Sequence, residues 1–121
     1  MHNIIFYQDQ NGRCPVLDYM KELASSKSKD SRVKLNKIGD YIELLKQNGT
    51  EGLTENYVKH LDGDIWELRP LRDRILFVCV VGGQYVLLHQ FVKKTQKTPK
   101  REIEKAKREQ ADFLARMEKP D

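Results

Sequence analysis

Two apolar stretches near the middle of the chain constrain the fold more than any other feature of the sequence. Residues 75–81 and 85–92 are hydrophobic at nearly every position, and Gly82 and Gly83 lie between them. Adjacent glycines tolerate the positive φ angles of tight turns, so the pattern predicts a β-hairpin with a two-residue turn. Strands that are apolar on both sides are covered on both sides. We therefore expect this hairpin to form the centre of a sheet that is packed on both faces.

Helical and β-type patterns flank this hairpin. Residues 4–7 form a first short strand, and residues 57–61 and 65–69 form two more around an Asp-Gly-Asp turn. Pro15 begins a helix, a second helix ends at Asn48-Gly49, and Thr98-Pro99 precedes a third with an apolar stripe over residues 103–117. The predicted order β-α-α-β-β-β-β-α indicates an α+β fold, and we expect residues 1–121 to form one domain.

The composition excludes several classes of protein. A chain that is 39% hydrophobic and 33% charged is neither disordered nor a membrane protein. Its two cysteines, Cys14 and Cys79, lack CxxC spacing, so we expect buried or half-buried free thiols in a cytoplasmic protein. The histidine and cysteine spacing predicts no metal site, and no glycine-rich phosphate loop is present in the sequence. We therefore expect no cofactor.

Positive charge is concentrated towards the C-terminal end. The formal net charge is +4, and eight basic but only two acidic residues lie between Lys93 and Arg108. Such a surface attracts polyanions. A basic helix taken alone is more often a solvated face that keeps the protein soluble. The residues that precede this helix therefore decide the interpretation.

Four basic residues fall at the ends of predicted strands: Arg69, Arg74, Lys93 and Lys94. Four residues connect the strands of Arg69 and Arg74, so this hairpin brings the two arginines together. Side-chain alternation places Arg69 on the face opposite Trp66. Two neighbouring guanidinium groups repel each other mildly and become favourable around a phosphate. Arginines at a strand end are by themselves more often structural. The pair therefore indicates a phosphate site only when Lys93 and Lys94 are taken together with it.

The segments that carry these residues resemble the phage-derived, HigB-type branch of the RelE toxin superfamily. The matching motifs are Trp66-Glu67-Leu68-Arg69, Arg74-Ile75, the segment LLHQFVKKTQKTP over residues 87–99, and EIEKA over residues 102–106. They cover about half of the chain, and the N-terminal half fits the same plan more loosely. The resemblance implies a RelE-like α+β fold, with an N-terminal strand and helical hairpin packed on a twisted, mainly antiparallel sheet, and a C-terminal helix.

The resemblance also implies a function. RelE-like toxins of this branch are ribosome-dependent, metal-independent endoribonucleases that cleave mRNA, inhibit translation and are silenced by an antitoxin. The antitoxin is expected to be a HigA-like helix-turn-helix protein, with residues 103–117 as one candidate contact. In the cleavage step a ribose 2′-hydroxyl attacks the adjacent phosphate, and fixed cations stabilise the transition state. The resemblance assigns this role to Arg69, Arg74, Lys93 and Lys94, and the family keeps basic residues at the positions of Arg74 and Lys94. Those expected to bind RNA and ribosome are Lys97, Lys100, Arg101, Lys105 and Arg108.

The sequence departs from the RelE pattern in its acid–base residues. Some relatives carry lysines on the second strand and a tyrosine on the last helix, whereas this chain has Glu67 on that strand and no tyrosine after Tyr85. His89 and Glu67 are therefore the candidates for general acid and base. A histidine among apolar residues is, however, more often part of the core, and His60 is a weaker candidate.

Two alternatives share the same sequence features. ParE toxins have this fold and inhibit DNA gyrase without cleaving RNA, because fold alone does not determine function. A non-catalytic module that grips RNA phosphates would also carry a basic helix. The cluster of Arg69, Arg74, Lys93 and Lys94 on the sheet favours the nuclease, since gyrase-directed relatives generally lack such a cluster.

Overall fold

The computed structural model describes residues 1–117, and its secondary structure follows the predicted order. The elements are β1 (Ile4–Phe6), α1 (Pro15–Ser25), α2 (Lys29–Asn48), a short 3-10 turn (Thr50–Gly52), β2 (Val58–Asp62), β3 (Ile65–Leu68), β4 (Asp73–Val80), β5 (Gln84–Val92) and α3 (Lys100–Met117). The predicted boundaries are correct to within about two residues. Pro15 occupies the start of α1, and the Ser28 hydroxyl caps α2 by accepting a hydrogen bond from the Ser31 amide.

The five strands form one open, mostly antiparallel sheet. Its order is β1-β5-β4-β3-β2, so the β4–β5 hairpin lies at its centre. β1 pairs in parallel with β5, and every other neighbouring pair is antiparallel. The predicted α+β class is confirmed, and the architecture is consistent with a RelE-like fold.

Each face of the sheet carries its own hydrophobic core. On one face Ile38 and Leu45 of α2 pack with Phe77 of β4 and are fully buried. On the other face Leu76 of β4 packs in a second core with Ala106 of α3. Burial of one large aliphatic or aromatic side chain contributes roughly 1.5–3 kcal/mol. The helical hairpin and α3 thus cover opposite faces, as the apolar character of the central strands predicts.

The tip of the central hairpin differs from the prediction. Val80 pairs with Gln84, so the turn contains three residues rather than two, and Val81 is 96% exposed. Both glycines of the turn have positive φ, 89° and 74°, as expected. Cys79, expected to be buried or half-buried, is exposed because the end of the hairpin extends beyond the two cores.

The apolar stripe of α3 is largely used within the chain itself. Ala106 is fully buried, and Phe113 packs against the core beneath it. Only Leu114 and Met117 remain as exposed large apolar residues, at 37% and 55%. The stripe over residues 103–117 is therefore not a free surface as a whole, because the sheet covers most of it. Neither α3 nor another helix of residues 1–117 has the length and hydropathy to cross a membrane.

Candidate functional site

A basic cleft lies between β2, β3, the segment after β5 and the start of α3. We call it the cleft, and its volume is about 210 Å³. Five cations and one carboxylate line it, together with polar and apolar side chains. The charged residues are Lys59, Glu67, Arg69, Arg74, Lys93 and Lys97. The surplus of positive charge makes the cleft suitable for an anion.

Glu67 holds the centre of the cleft. It is 2% exposed, and its Oε1 lies 3.6 Å from Nε of Arg69 and 3.7 Å from Nε of Arg74. The hydroxyl of Thr98 donates a hydrogen bond to its other oxygen, Oε2. Trp66 and the residue after Glu67 pack towards the helical hairpin, so strand alternation turns Glu67 to the α3 face. One carboxylate thus fixes two guanidinium groups and the segment that leads into α3.

Arg74 is a buried cation with one end directed at the cleft. It is 6% exposed, and its Nη1 donates to the carbonyl oxygens of Leu71 and Asp73, each at 2.8 Å. Burial lowers the pKa of Arg74, and the nearby Glu67 carboxylate opposes that change. Arginine nevertheless stays protonated in proteins. Within residues 1–117 its Nη2 makes no hydrogen bond, so this nitrogen is available to a ligand.

The turn that precedes Arg74 is held from below by α1. Asp73 is fully buried, and the Tyr19 hydroxyl donates to its Oδ1 at 2.8 Å. Burial of Tyr19 and this hydrogen bond raise the pKa of the phenol well above its usual value. The Asp73 amide in turn donates to the Pro70 carbonyl at 3.0 Å. The carbonyl groups that hold Arg74 are therefore part of a rigid turn.

Lys93 is joined to the same turn through its backbone. Its amide donates to the Arg72 carbonyl at 2.7 Å, and its carbonyl accepts from Nη2 of Arg72 at 3.0 Å. Arg74 at the start of β4 and Lys93 just after β5 thus line the cleft from chain segments that are joined by these hydrogen bonds. Lys94, which follows, does not line the cleft. It lies instead along two neighbouring grooves, because consecutive residues of an extended segment point in opposite directions.

Lys59 is a cation of the cleft that the sequence analysis missed. It stands opposite Glu67 in the β2–β3 register and points to the same face of the sheet. The predicted turn at Asp62-Gly63-Asp64 together with strand alternation could have paired the two residues. The bulge between His60 and Asp62 makes that register uncertain from sequence alone.

The two histidines considered for proton transfer lie outside the centre of the cleft. His89 is 1% exposed beneath α3, with Nδ1 2.5 Å from Oε1 of Glu109 and Nε2 2.9 Å from Oε1 of Glu102. It does not line the cleft. His60 is at the rim, but its ring packs against Trp66 at 5.2 Å and its Nε2 lies 2.7 Å from the Gly63 carbonyl oxygen. His89 therefore has the surroundings of a core histidine.

The basic side chains expected to bind RNA surround the cleft on its α3 side. Lys97 lines the cleft itself, and the side chain of Arg101 is 80% exposed near the beginning of α3. The other residues of this set are also exposed: Lys100, Lys105 and Arg108. Lys107 differs, because its ammonium group donates to Asp62 at 2.6 Å, which raises the pKa of Lys107 and lowers that of Asp62. The outer face of α3 thus continues the positive surface of the cleft.

The match to a protein family fits this geometry. A family model described as "Phage derived protein Gp49-like (DUF891)" matches residues 20–111, which is most of the chain. The chain belongs to the Gp49-like family. This is a RelE-like family of toxins of toxin–antitoxin modules. A search of curated proteins returned no match.

The Gp49-like region contains the whole cleft. Every residue that lines it, from Lys59 to Ile103, lies within the matched part of the chain. In residues 1–117 no group of three or more histidine, cysteine or acidic side chains is placed to hold a metal ion. The charged groups that the cleft offers to a ligand are closely spaced cations around one buried carboxylate.

Proposed function

We propose that this Gp49-like protein is the toxin of a type II toxin–antitoxin module and cleaves mRNA on the ribosome. The observation that carries the proposal is the cleft in which Arg69, Arg74 and Lys93 surround Glu67. The resemblance to the HigB-type branch supports a HigA-like helix-turn-helix antitoxin as its partner. The exposed residues Leu114 and Met117 are the apolar part of α3 that such a partner could still cover.

The proposed reaction is attack of a ribose 2′-hydroxyl on the adjacent phosphate. The 2′-hydroxyl loses its proton and its oxygen forms a bond to phosphorus. The bond to the 5′-oxygen breaks and that oxygen takes up a proton, so that a 2′,3′-cyclic phosphate and a 5′-hydroxyl result. Negative charge on the non-bridging oxygens is greatest in the transition state. Cations fixed in place stabilise this state more than the substrate, and they do so more strongly where water is partly excluded.

The geometry of the cleft suits this role. Nη2 of Arg74 makes no hydrogen bond within the described part of the chain, and Lys93, the residue after β5, lines the same cleft. Arg69 is anchored by a 2.8 Å hydrogen bond from Nη1 to the Glu55 carbonyl, and its side chain is 25% exposed. These groups need little rearrangement when charge develops on a phosphate, which is the condition for a large effect on rate.

Glu67 is proposed as the positioning residue of this set. One carboxylate among the five cations of the cleft lowers their mutual repulsion and lies within 3.7 Å of two guanidinium groups. It is 2% exposed, and both of its oxygens have neighbours in the structure. This environment favours holding the arginines over exchanging a proton with the substrate.

The outer face of α3 is proposed to dock the protein on ribosomal RNA. Arg101, Lys105 and Arg108 recur at helical spacing and are exposed. Neutralised phosphates release counterions, so several such contacts give strong but salt-sensitive attraction without positioning the cleaved bond. Docking and cleavage are in this way assigned to neighbouring surfaces of one molecule.

Single-turnover cleavage of mRNA on programmed ribosomes tests the proposal. Arg74→Ala and Lys93→Ala should each lower the rate by about a hundred- to a thousandfold, the usual effect of losing one donor to a transition-state oxyanion. Arg74→Lys keeps the charge and distinguishes loss of chemistry from loss of folding. Arg32→Ala, an exposed arginine on α2, is the matched control and should cleave at the wild-type rate.

The contrary outcomes are distinct. If Arg74→Ala and Lys93→Ala both cleave normally, the reaction does not take place in the cleft. If the wild-type protein arrests growth and leaves mRNA uncut, it acts as a ParE-like gyrase inhibitor. If it binds ribosomes or RNA without either effect, it is a binding module.

A further inference from the structure

A second basic groove adjoins the cleft and shares two of its cations. We call it the turn groove; its volume is about 500 Å³, and the residues that line it are Leu71, Arg72, Arg74, Lys93, Lys94, Thr95 and Gln96. Arg74 and Lys93 line both depressions. A chain of phosphates that leaves the cleft past these two residues enters the turn groove directly. No carboxylate lines it among the residues that the structure describes.

One side of the turn groove is held by hydrogen bonds between the turn before β4 and the segment after β5. The side chain of Arg72 donates to the Lys93 carbonyl, and the Lys93 amide donates to the Arg72 carbonyl. Asp73 pairs with Val92 in the β4–β5 register, and Tyr19 holds Asp73 from α1. The part of the groove around Arg72 and Lys93 therefore loses little conformational freedom when it binds a ligand.

Leu71 stands out on the wall of this groove. Its φ is +56°, a conformation that residues with a branched side chain rarely adopt, and it is 47% exposed. Its carbonyl accepts a hydrogen bond from Arg74, and this bond helps to explain the positive φ of the Leu71 backbone. Its apolar side chain lies outside the two cores, beside the four cations of the turn groove and next to a neighbouring groove that Lys34 and Val92 also line. Unusual backbone conformations cluster at sites where ligands bind.

We propose that the turn groove binds the nucleotide next to the cleaved phosphate and selects its base. This inference rests on the proposed function and adds to it the position at which sequence is read. Lys94 and Arg72 contact the phosphate, Leu71 packs on the face of the base, and the Gln96 amide pairs with its edge. An amide carries both a donor and an acceptor and can therefore discriminate between bases.

The test is the pattern of cut sites on programmed ribosomes that carry mRNAs with randomised sequence around the cut. Wild-type protein should show a base preference at one position beside the cut. Leu71→Ala and Gln96→Ala should weaken that preference by about tenfold, within the range that one side-chain contact to a base gives. Leu71→Gly should do the same, and its backbone accepts the positive φ, so a loss of folding does not explain the result. Val33→Ala, an exposed apolar residue of α2, should keep the wild-type pattern.

Lys94→Ala adds a second readout. A residue that contacts phosphate should weaken cleavage evenly across sequences and leave the base preference unchanged.

Cleavage by Leu71→Ala and Gln96→Ala with the wild-type preference overturns the turn groove as a base site and leaves the nuclease intact. The same holds if wild-type protein cuts with no preference beside the cut, or if Leu71→Ala loses only its affinity for a protein partner. Absence of cleavage by the wild-type protein overturns both the groove and the proposed function.

Discussion

His89 should be important for stability and dispensable for cleavage. Both nitrogens of its buried ring face a carboxylate oxygen, from Glu109 at 2.5 Å and from Glu102 at 2.9 Å. These contacts fasten α3 to β5. Removing the ring leaves two carboxylates facing each other under the helix.

The cost of His89→Ala follows from the exposure of the two carboxylates. The Glu109 side chain is 10% exposed, whereas that of Glu102 is 17% exposed and lies 3.9 Å from Nε of Arg101. Removing one partner of a buried pair costs about 3–5 kcal/mol. Because Glu102 can turn to solvent, we expect a loss near the lower end, about 3 kcal/mol. For a chain of this length that corresponds to a fall in Tm of roughly 10 °C.

Urea unfolding followed by the fluorescence of Trp66, the one tryptophan of the chain, measures this loss. The double variant His89→Ala/Glu109→Gln should regain part of the stability, because it removes the unpaired buried charge. Arg32→Ala on the exposed surface of α2 is the control and should change the free energy of unfolding by less than about 0.5 kcal/mol. At a temperature where it is folded, His89→Ala should cleave mRNA near the wild-type rate. Full stability with lost cleavage would refute this reasoning and make His89 a proton-transfer residue.

Three further predictions concern the cleft, the docking face and the partner. Glu67→Ala should lower stability by about 3 kcal/mol in urea unfolding, the lower end of the range for a buried pair, because it leaves a buried guanidinium without its counterion. Glu67→Gln should fold, and a rate about a hundredfold lower at full stability would instead identify Glu67 as the general base. Replacing Arg101, Lys105 and Arg108 together by alanine should weaken ribosome co-sedimentation and reduce its salt dependence, while cleavage at saturating protein persists. Loss of cleavage by this triple variant at saturating protein would contradict the division between docking and catalysis. Expression of the chain alone should arrest bacterial growth, and co-expression of a helix-turn-helix antitoxin should restore it; harmless expression in several hosts would contradict the toxin assignment.

Much of the fold could be predicted because local patterns and tertiary packing agree. The central strands are apolar on both faces, and the structure covers both, with α2 on one side and α3 on the other. Pro15 and Asn48-Gly49 mark helix ends in the sequence and in the structure. The predicted length of the turn at Gly82-Gly83 is wrong by one residue, because two glycines fit a two- or a three-residue turn equally well.

The candidate site could be predicted only in part. Arg69 and Arg74 come together because a short turn joins their strands, and this follows from sequence. The inclusion of Lys59 depends on the register of β2 and β3, which a bulge shifts. The different places of Lys93 and Lys94 depend on which residue of the segment faces inward. The burial of Glu67 could not be predicted, because its partner Thr98 lies 31 residues away.

The central claim is that the 2′-hydroxyl attacks the neighbouring phosphate within the cation-lined cleft. The most direct measurement is single-turnover cleavage on programmed ribosomes of an mRNA with one 2′-deoxynucleotide at the cut site, compared with the all-ribose mRNA. The account predicts that the all-ribose mRNA yields 2′,3′-cyclic phosphate and 5′-hydroxyl ends, and that the single 2′-deoxy substitution abolishes cleavage at that bond. Cleavage of the 2′-deoxy bond at the same rate, or products with 5′-phosphate ends, would contradict it.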